Sequence, residues 1–86
     1  MYIIAKYEDG DIYRIGDTYA ALKNAQAVML DDYVKTVREE YDENYTLESD
    51  DVMADYRVSD DKMHAFVLDA SYYHTDIVWR ILEASY

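Results

Sequence analysis

The sequence predicts an α+β fold, in which an antiparallel β-sheet with the element order ββαβββ packs one long helix on one face. Three observations predict it: two β-rich runs around an Asp-Gly pair, a helical apolar stripe over residues 18–41, and alternating apolar residues after residue 51. The chain has 86 residues, no proline and only two glycines, and shows neither a repeat nor a linker. We therefore expect residues 1–86 to form a single domain.

The first two elements are predicted to be a β-hairpin. Residues 2–7 and 11–15 are rich in β-branched and aromatic side chains. The Asp-Gly pair between them favours a two-residue type I′ turn, because both turn residues need a positive φ. Such a turn would pair Tyr7 with Ile12.

A helix should follow, from about residue 18 to about residue 41, with Asp17 or Thr18 as its N-cap. Apolar residues recur there at steps of three and four, which gives the helix one core-facing stripe. The stripe consists of Leu22, Ala25, Met29, Tyr33, Val37 and Tyr41.

Three strands should complete the sheet. Residues 52–58 alternate between apolar and other side chains, as a half-buried strand does, and a short helix at the start of this stretch is the alternative. Residues 63–69 and 77–84 are the last two predicted strands. Trp79 and Ile81 share one face of the final strand, so we expect them to pack against the helix.

The negative charge is concentrated in one stretch of the chain. The net charge is −11, and residues 39–61 hold ten acids against one base, Arg57, so this stretch carries −9. The segments before and after it carry −1 each. Acids at the end of the predicted helix oppose its dipole, so local stability does not explain them. Such a stretch also repels nucleic acid.

No catalytic or metal-binding motif accompanies these acids. If Asp42 is placed first in a calcium loop, Leu47 stands where glycine is needed and Met53 where a bidentate glutamate is needed. The two histidines lack further ligands at zinc spacing, and no serine lies in a nucleophile motif. We therefore expect a protein that is not an enzyme and binds no cofactor and no metal.

The sequence also bears on the compartment. It contains no cysteine, no signal-peptide pattern at its start and no apolar run of about 20 residues. We expect a cytoplasmic protein that does not bind membranes.

The candidate partner-binding residues are acids and tyrosines near the end of the predicted helix. Carboxylates spaced by about 5–7 Å along a helix or strand approximate the phosphates of nucleic acid. Tyrosine rings can pack against the arginines of a basic partner. The acids are Glu39, Glu40, Asp42, Glu43, Glu48, Asp50 and Asp51, and the aromatic anchors are Tyr41 and Tyr45.

The whole chain resembles the small acidic accessory proteins encoded by phages and prophages. The resemblance lies in the opening hairpin of residues 2–10, the single helix, the acidic middle and the closing strand at residues 79–83. In size and charge the chain is similar to anti-CRISPR proteins and other DNA mimics. This resemblance implies an inhibitor that binds a basic nucleic-acid-binding host protein, such as a CRISPR effector, and does not itself bind nucleic acid.

The alternative is a small structural or adaptor module. In that case the acids serve only solubility, and exposed tyrosines form the interface of a homodimer.

Overall fold

The computed structural model describes residues 1–47, 55–70 and 75–83. They form a five-stranded antiparallel sheet in the order β2-β1-β5-β4-β3, with one helix packed against one face. The predicted α+β architecture is confirmed. The elements are β1 (Tyr2–Glu8), β2 (Asp11–Arg14), α1 (Leu22–Glu40), β3 (Tyr56–Val58), β4 (His64–Ala70) and β5 (Thr75–Glu83).

The first hairpin has the predicted register. Tyr7 lies opposite Ile12, and the turn residues Asp9 and Gly10 have φ angles of 50° and 79°. Positive φ at both positions is what a type I′ turn requires, and its twist matches that of the strands it joins. The local sequence signal was therefore sufficient to predict this element.

The helix begins later than predicted. It starts at Leu22 and makes no side-chain N-cap hydrogen bond, so Asp17 and Thr18 are not its N-cap. Tyr19 instead pairs with Tyr2, through two backbone N–H···O hydrogen bonds of 2.8 Å each. This pairing holds the backbone at residue 19 in an extended conformation, which prevents an earlier start of the helix.

Two glycines offer a matched test of the backbone near this bridge. Gly16 has a φ of +68°, and a Cβ there would overlap the Tyr19 hydroxyl, which donates a 3.2 Å hydrogen bond to the carbonyl of Ile15. Gly10 has a φ of +79° and faces open space. We expect Gly10→Ala to cost about 1–2 kcal/mol from the backbone and Gly16→Ala to cost more, as measured by urea unfolding. Equal losses would show that the tyrosine ring moves without cost.

The core lies between α1 and the sheet, with Trp79 at its centre. Trp79 is fully buried, as predicted, and its ring meets that of Tyr33 edge to face with centroids 5.8 Å apart. The indole Nε1 donates a 2.8 Å hydrogen bond to the Asp32 carboxylate. Ile81 is also buried. The fully buried residues of the helix stripe are Ala25, Met29, Tyr33 and Val37.

The third strand confirms the end of the predicted strand at residues 52–58. In β3, Tyr56 is buried against the core while Arg57 is exposed, so the predicted alternation holds where it can be seen. The start of that predicted strand, and the short helix considered as its alternative, fall within residues 48–54 and lie outside the described residues.

A β-bulge interrupts the pairing of β4 with β5. The register shifts between Val67 and Ala70, and Asp69 adopts a φ of 56°. The backbone N–H of Asp69 donates a 3.0 Å hydrogen bond to Asp76 Oδ1. Because Ala70 pairs with Thr75 beyond the bulge, β5 begins at Thr75 and not at residue 77.

Candidate acidic binding site

One end of the molecule brings together carboxylates from four segments of the chain. The helix α1 ends there at Glu40, and the antiparallel topology places the start of β3, the end of β4 and the start of β5 at the same end. We call this region the acidic end. Its described carboxylates near the end of α1 belong to Glu39, Glu40, Asp42, Glu43, Asp55, Asp69 and Asp76. The β1–β2 turn, with Glu8, Asp9 and Asp11, lies at the same end of the sheet but on the other side of β5.

Tyr41 lies at the centre of the acidic end. Its hydroxyl donates a hydrogen bond to the carbonyl of Leu68, and its ring centroid is 5.1 Å from that of Tyr56. Burial of the hydroxyl, and then nearby carboxylates, raise the pKa of Tyr41. Those carboxylates belong to Asp55, Asp69, Glu40 and Asp76. Acids from separate chain segments therefore lie near this one hydroxyl group.

The placement of Tyr41 differs in part from expectation. The helix stripe predicted a core residue at this position, but its side chain is 39% exposed. The helix ends one residue earlier, so the ring leaves the stripe and lies over the edge of the sheet near Leu68. Its exposed part is available to a partner, as the aromatic-anchor hypothesis requires.

Tyr45 is a core residue and not an exposed anchor, so this expectation was wrong. Only 7% of the residue is exposed. Its hydroxyl lies 3.0 Å from that of Tyr33, and its ring packs edge to face against Tyr33 and Tyr56. Sequence periodicity did not reveal this burial, because Tyr45 lies in a loop that folds back under the helix end.

Hydrogen bonds hold the loop after α1 in place. The N–H of Asp42 donates to the Val37 carbonyl at 3.0 Å, and the N–H of Tyr45 donates to the Asp42 carbonyl at 3.0 Å. Asp42 Oδ1 accepts from the N–H of Asn44 at 2.9 Å. Arg38 Nε donates to the Tyr45 carbonyl at 2.8 Å. The loop of residues 41–45, which we call the acidic loop, is therefore bonded to the helix at its start, through Asp42, and at its end, through Tyr45.

Three ion pairs among the described residues lie away from the acidic end. The exposed carboxylates of Glu39, Asp42 and Glu43 take part in none of them. The pairs join Lys6 to Asp32 at 3.0 Å, Arg14 to Asp17 at 3.8 Å and Lys35 to Asp31 at 3.5 Å. Residues 39–56 contain eight acids and no base. The negative charge of this segment is therefore not neutralised within the segment.

The structure brings together part of the predicted site and adds to it. Glu39, Glu40, Tyr41, Asp42 and Glu43 are all exposed at the acidic end, whereas Glu48, Asp50 and Asp51 lie outside the described residues. Sequence reasoning missed Asp55, Asp69 and Asp76 as site residues. The available signal was topological, because a β4–β5 hairpin that follows β3 must turn at the end of the sheet where β3 begins.

Comparisons with known proteins do not assign this chain to a family. No protein-family model, no curated protein and no solved structure matches it. Within the three described ranges, no group of three His, Asp or Glu side chains is arranged to hold a metal ion. The described helix is not apolar enough to cross a membrane.

The buried tyrosines predict an alkaline limit to stability. Burial, and then the hydrogen bond with Tyr45, raise the pKa of Tyr33 far above the ordinary value of about 10. The folded state therefore keeps a proton that the unfolded state releases, so this stabilisation is complete below about pH 10 and is lost as the pH rises further. We expect the urea concentration at the unfolding midpoint to decrease as the pH rises above about 10, and to decrease less in Tyr33→Phe. A parent midpoint that stays level to about pH 12 would contradict this.

Proposed function

We propose that this protein is a non-enzymatic inhibitor whose acidic end binds a basic nucleic-acid-binding surface of a host protein. It would act in the manner of anti-CRISPR proteins and other phage-encoded DNA mimics, in the host cytoplasm. The observation that carries the proposal is the convergence of carboxylates from four chain segments around the half-exposed Tyr41.

Charge complementarity supports this type of partner. A groove that binds duplex DNA faces about one phosphate charge per 1.7 Å of helix axis, so it must be strongly basic. A surface with clustered carboxylates and no base between residues 39 and 56 is attracted to such a groove over a distance of about 8–10 Å at ordinary ionic strength. The same charge repels nucleic acid itself. A protein partner is therefore favoured over a nucleic acid.

The acidic end is also held ready for binding. The loop with Asp42 and Glu43 is fastened to α1 by backbone hydrogen bonds and by Arg38, and the hydroxyl of Tyr41 is fixed to the carbonyl of Leu68. Little conformational entropy is then lost when a partner binds, so more of the interaction energy appears as affinity.

Solubility is a weaker explanation of the same acids. Solubility needs charge on the surface but not at a particular place. Acids at a helix C-terminus each cost about 0.3–1 kcal/mol when exposed. Arg38 is the one base in the last turn of α1, and its Nε donates a hydrogen bond to the Tyr45 carbonyl. The acids lie where they oppose the helix dipole, and a partner surface gives a reason for that position.

Charge reversal at the acidic end tests the proposal. Glu39→Lys with Glu43→Lys should abolish binding to purified nucleic-acid-binding proteins that the parent binds, including CRISPR effectors loaded with guide RNA. Binding would be followed by biolayer interferometry, and inhibition by target-DNA cleavage. The parent's association rate should fall steeply with salt, since exposed charges act mainly on association. Duplex DNA should compete with the parent for the partner.

A matched control separates local from overall charge. Asp17→Lys with Glu83→Lys makes the same change in net charge, with exposed residues at the opposite end of the sheet. This control should bind and inhibit nearly as the parent does. The proposal fails if the reversal at the acidic end binds and inhibits as well as the parent, or if both double variants lose binding equally.

A further inference from the structure

The sheet face opposite α1 carries apolar side chains that are not part of the core. In the central strands β1 and β5, Ile4 and Trp79 face the helix, so the alternating residues Ile3, Tyr7 and Val78 face the other way. None of these three belongs to the buried core or to the side chains packed against it. Apolar residues on both faces are typical of strands that are covered on both sides.

The apolar side chains of this open face form a row across the sheet. Ile12, Tyr7, Val78 and Phe66 lie directly opposite one another on β2, β1, β5 and β4. Ile12 is 69% exposed, and the other three are half-buried. Arg57 continues the row on the edge strand β3.

A second row, of basic side chains, runs parallel to the first. It lies two residues further along the strands, at a distance of about 7 Å. In this row Arg14, Ala5, Arg80 and His64 are paired across four strands, and the two arginines and the histidine are exposed. Among the described residues, Arg80 has no carboxylate within ion-pair distance. The chain as a whole carries a net charge of −11.

Two carboxylates, those of Asp76 and Asp55, lie on the opposite side of the apolar row, with Leu68 between them on β4. On β5, Asp76 precedes Val78 by two residues, and Arg80 follows Val78 by two. Just before β3, Asp55 precedes Arg57 by two residues, and its carbonyl accepts a 2.6 Å hydrogen bond from the N–H of Leu68, which continues the ladder. On the central strand β5 the open face therefore reads acidic, apolar and basic in turn, from Asp76 through Val78 to Arg80.

We infer that this face binds a second copy of the chain, in a dimer whose two-fold axis runs along the apolar row. With such an axis, each strand lies over the same strand of the second chain and runs antiparallel to it. Val78 and Tyr7 then meet their counterparts. Asp76 of each copy faces Arg80 of the other, because both lie two residues from Val78. This is an isologous interface, in which one patch complements itself.

Other arrangements of the same face are less favourable. An axis parallel to the strands would set carboxylate against carboxylate and arginine against arginine, which costs several kcal/mol for each close pair. A nucleic acid strand could meet the basic row, but the net charge of −11 would repel it. In the dimer about the apolar row, the apolar side chains of the row meet, and Asp76 of each copy faces Arg80 of the other on the central strand β5. At the edge strand β3, Arg57 faces its own counterpart.

The dimer also accounts for the thin shape of the single chain. The described part of the chain measures 38 × 29 × 17 Å. The shortest of these dimensions corresponds to one sheet and one helix packed together. Two sheets pack about 10 Å apart and commonly about 30° from parallel. The two open faces would then form the centre of a four-layer structure with the helices outside. Because the axis reverses the strands, the two acidic ends would lie at opposite ends of the dimer.

Sedimentation equilibrium of the purified chain over a range of concentrations tests the inference. The parent should dimerise, and Val78→Lys should weaken the association at least about tenfold, because two charges would meet on the axis. Arg80→Asp and Asp76→Arg should each weaken it similarly. An equimolar mixture of these two variants should associate as a heterodimer, since one copy then offers only acids and the other only bases at the paired positions.

Lys23→Asp is the matched control, since it makes the same charge change as Arg80→Asp on the exposed side of α1. It should leave the association unchanged. Circular dichroism of each variant reports folding. If Asp76→Arg disturbs the bulge, Val78→Lys and Arg80→Asp still test whether this face forms the dimer interface. The inference is overturned if the unsubstituted protein is monomeric, whether or not it binds polyglutamate through Arg80. It is also overturned if Val78→Lys still forms the dimer.

Discussion

Trp79→Ala should destabilise the protein by about 3–5 kcal/mol. The side chain is fully buried, meets Tyr33 edge to face, and donates a hydrogen bond to Asp32 from Nε1. Lys6 pairs with the same carboxylate at 3.0 Å and lies 5.3 Å from the centre of the indole ring. The substitution would remove contacts that join β1, α1 and β5. Small domains are stable by only about 5–15 kcal/mol, so much of the total is at stake.

Trp79→Phe separates the ring from its hydrogen bond. Phenylalanine keeps an apolar ring in the core but removes the N–H donor, and Asp32 retains Lys6 as a partner. We expect a loss of about 1–3 kcal/mol, smaller than for alanine. Urea unfolding measures the free energy of unfolding of both variants, provided that its dependence on urea concentration has the same slope as in the unsubstituted protein. Equal losses would assign the stabilisation to the hydrogen bond, and a loss below about 1 kcal/mol for Trp79→Ala would contradict its central place in the core.

The parts of the fold that the sequence predicted are those set by local or periodic signals. The Asp9-Gly10 turn determines the hairpin register through its own φ angles. The buried positions of α1 follow a step of three or four residues, so the stripe with Met29 was visible in the sequence. The start of α1 was not, because it depends on the bridge between Tyr19 and Tyr2, which are distant in sequence.

The same distinction applies to the acidic end. Glu39 and Asp42 were found because they lie in one acidic stretch of the chain. Asp69 and Asp76 were missed, because they join this region only through the β4–β5 bulge. Tyr45 was misplaced for a related reason, since its burial depends on rings from α1 and β3. Charge density along the chain therefore located the site but did not define its members.

Tyr45→Ala should cost about 3–5 kcal/mol, as expected for a buried aromatic residue. The ring packs against Tyr33 and Tyr56, and the backbone carbonyl accepts from Arg38. Tyr45→Phe keeps the ring and removes only the hydroxyl that lies 3.0 Å from that of Tyr33. We expect it to cost about 0.5–1.5 kcal/mol. Urea unfolding of the two variants measures the contribution of the ring separately from that of the hydroxyl.

Tyr45 and Tyr41 should therefore differ in what their substitution changes. Tyr41 is half-exposed, so Tyr41→Ala should speed dissociation from a basic partner. Tyr45→Phe should leave that dissociation rate unchanged, because its ring is buried and the acidic loop stays fastened. Stability is read from urea unfolding, and dissociation from biolayer interferometry. If Tyr45→Ala costs less than about 1 kcal/mol and still speeds dissociation, Tyr45 is an exposed anchor after all. The loop would then present two aromatic rings to the partner and not one.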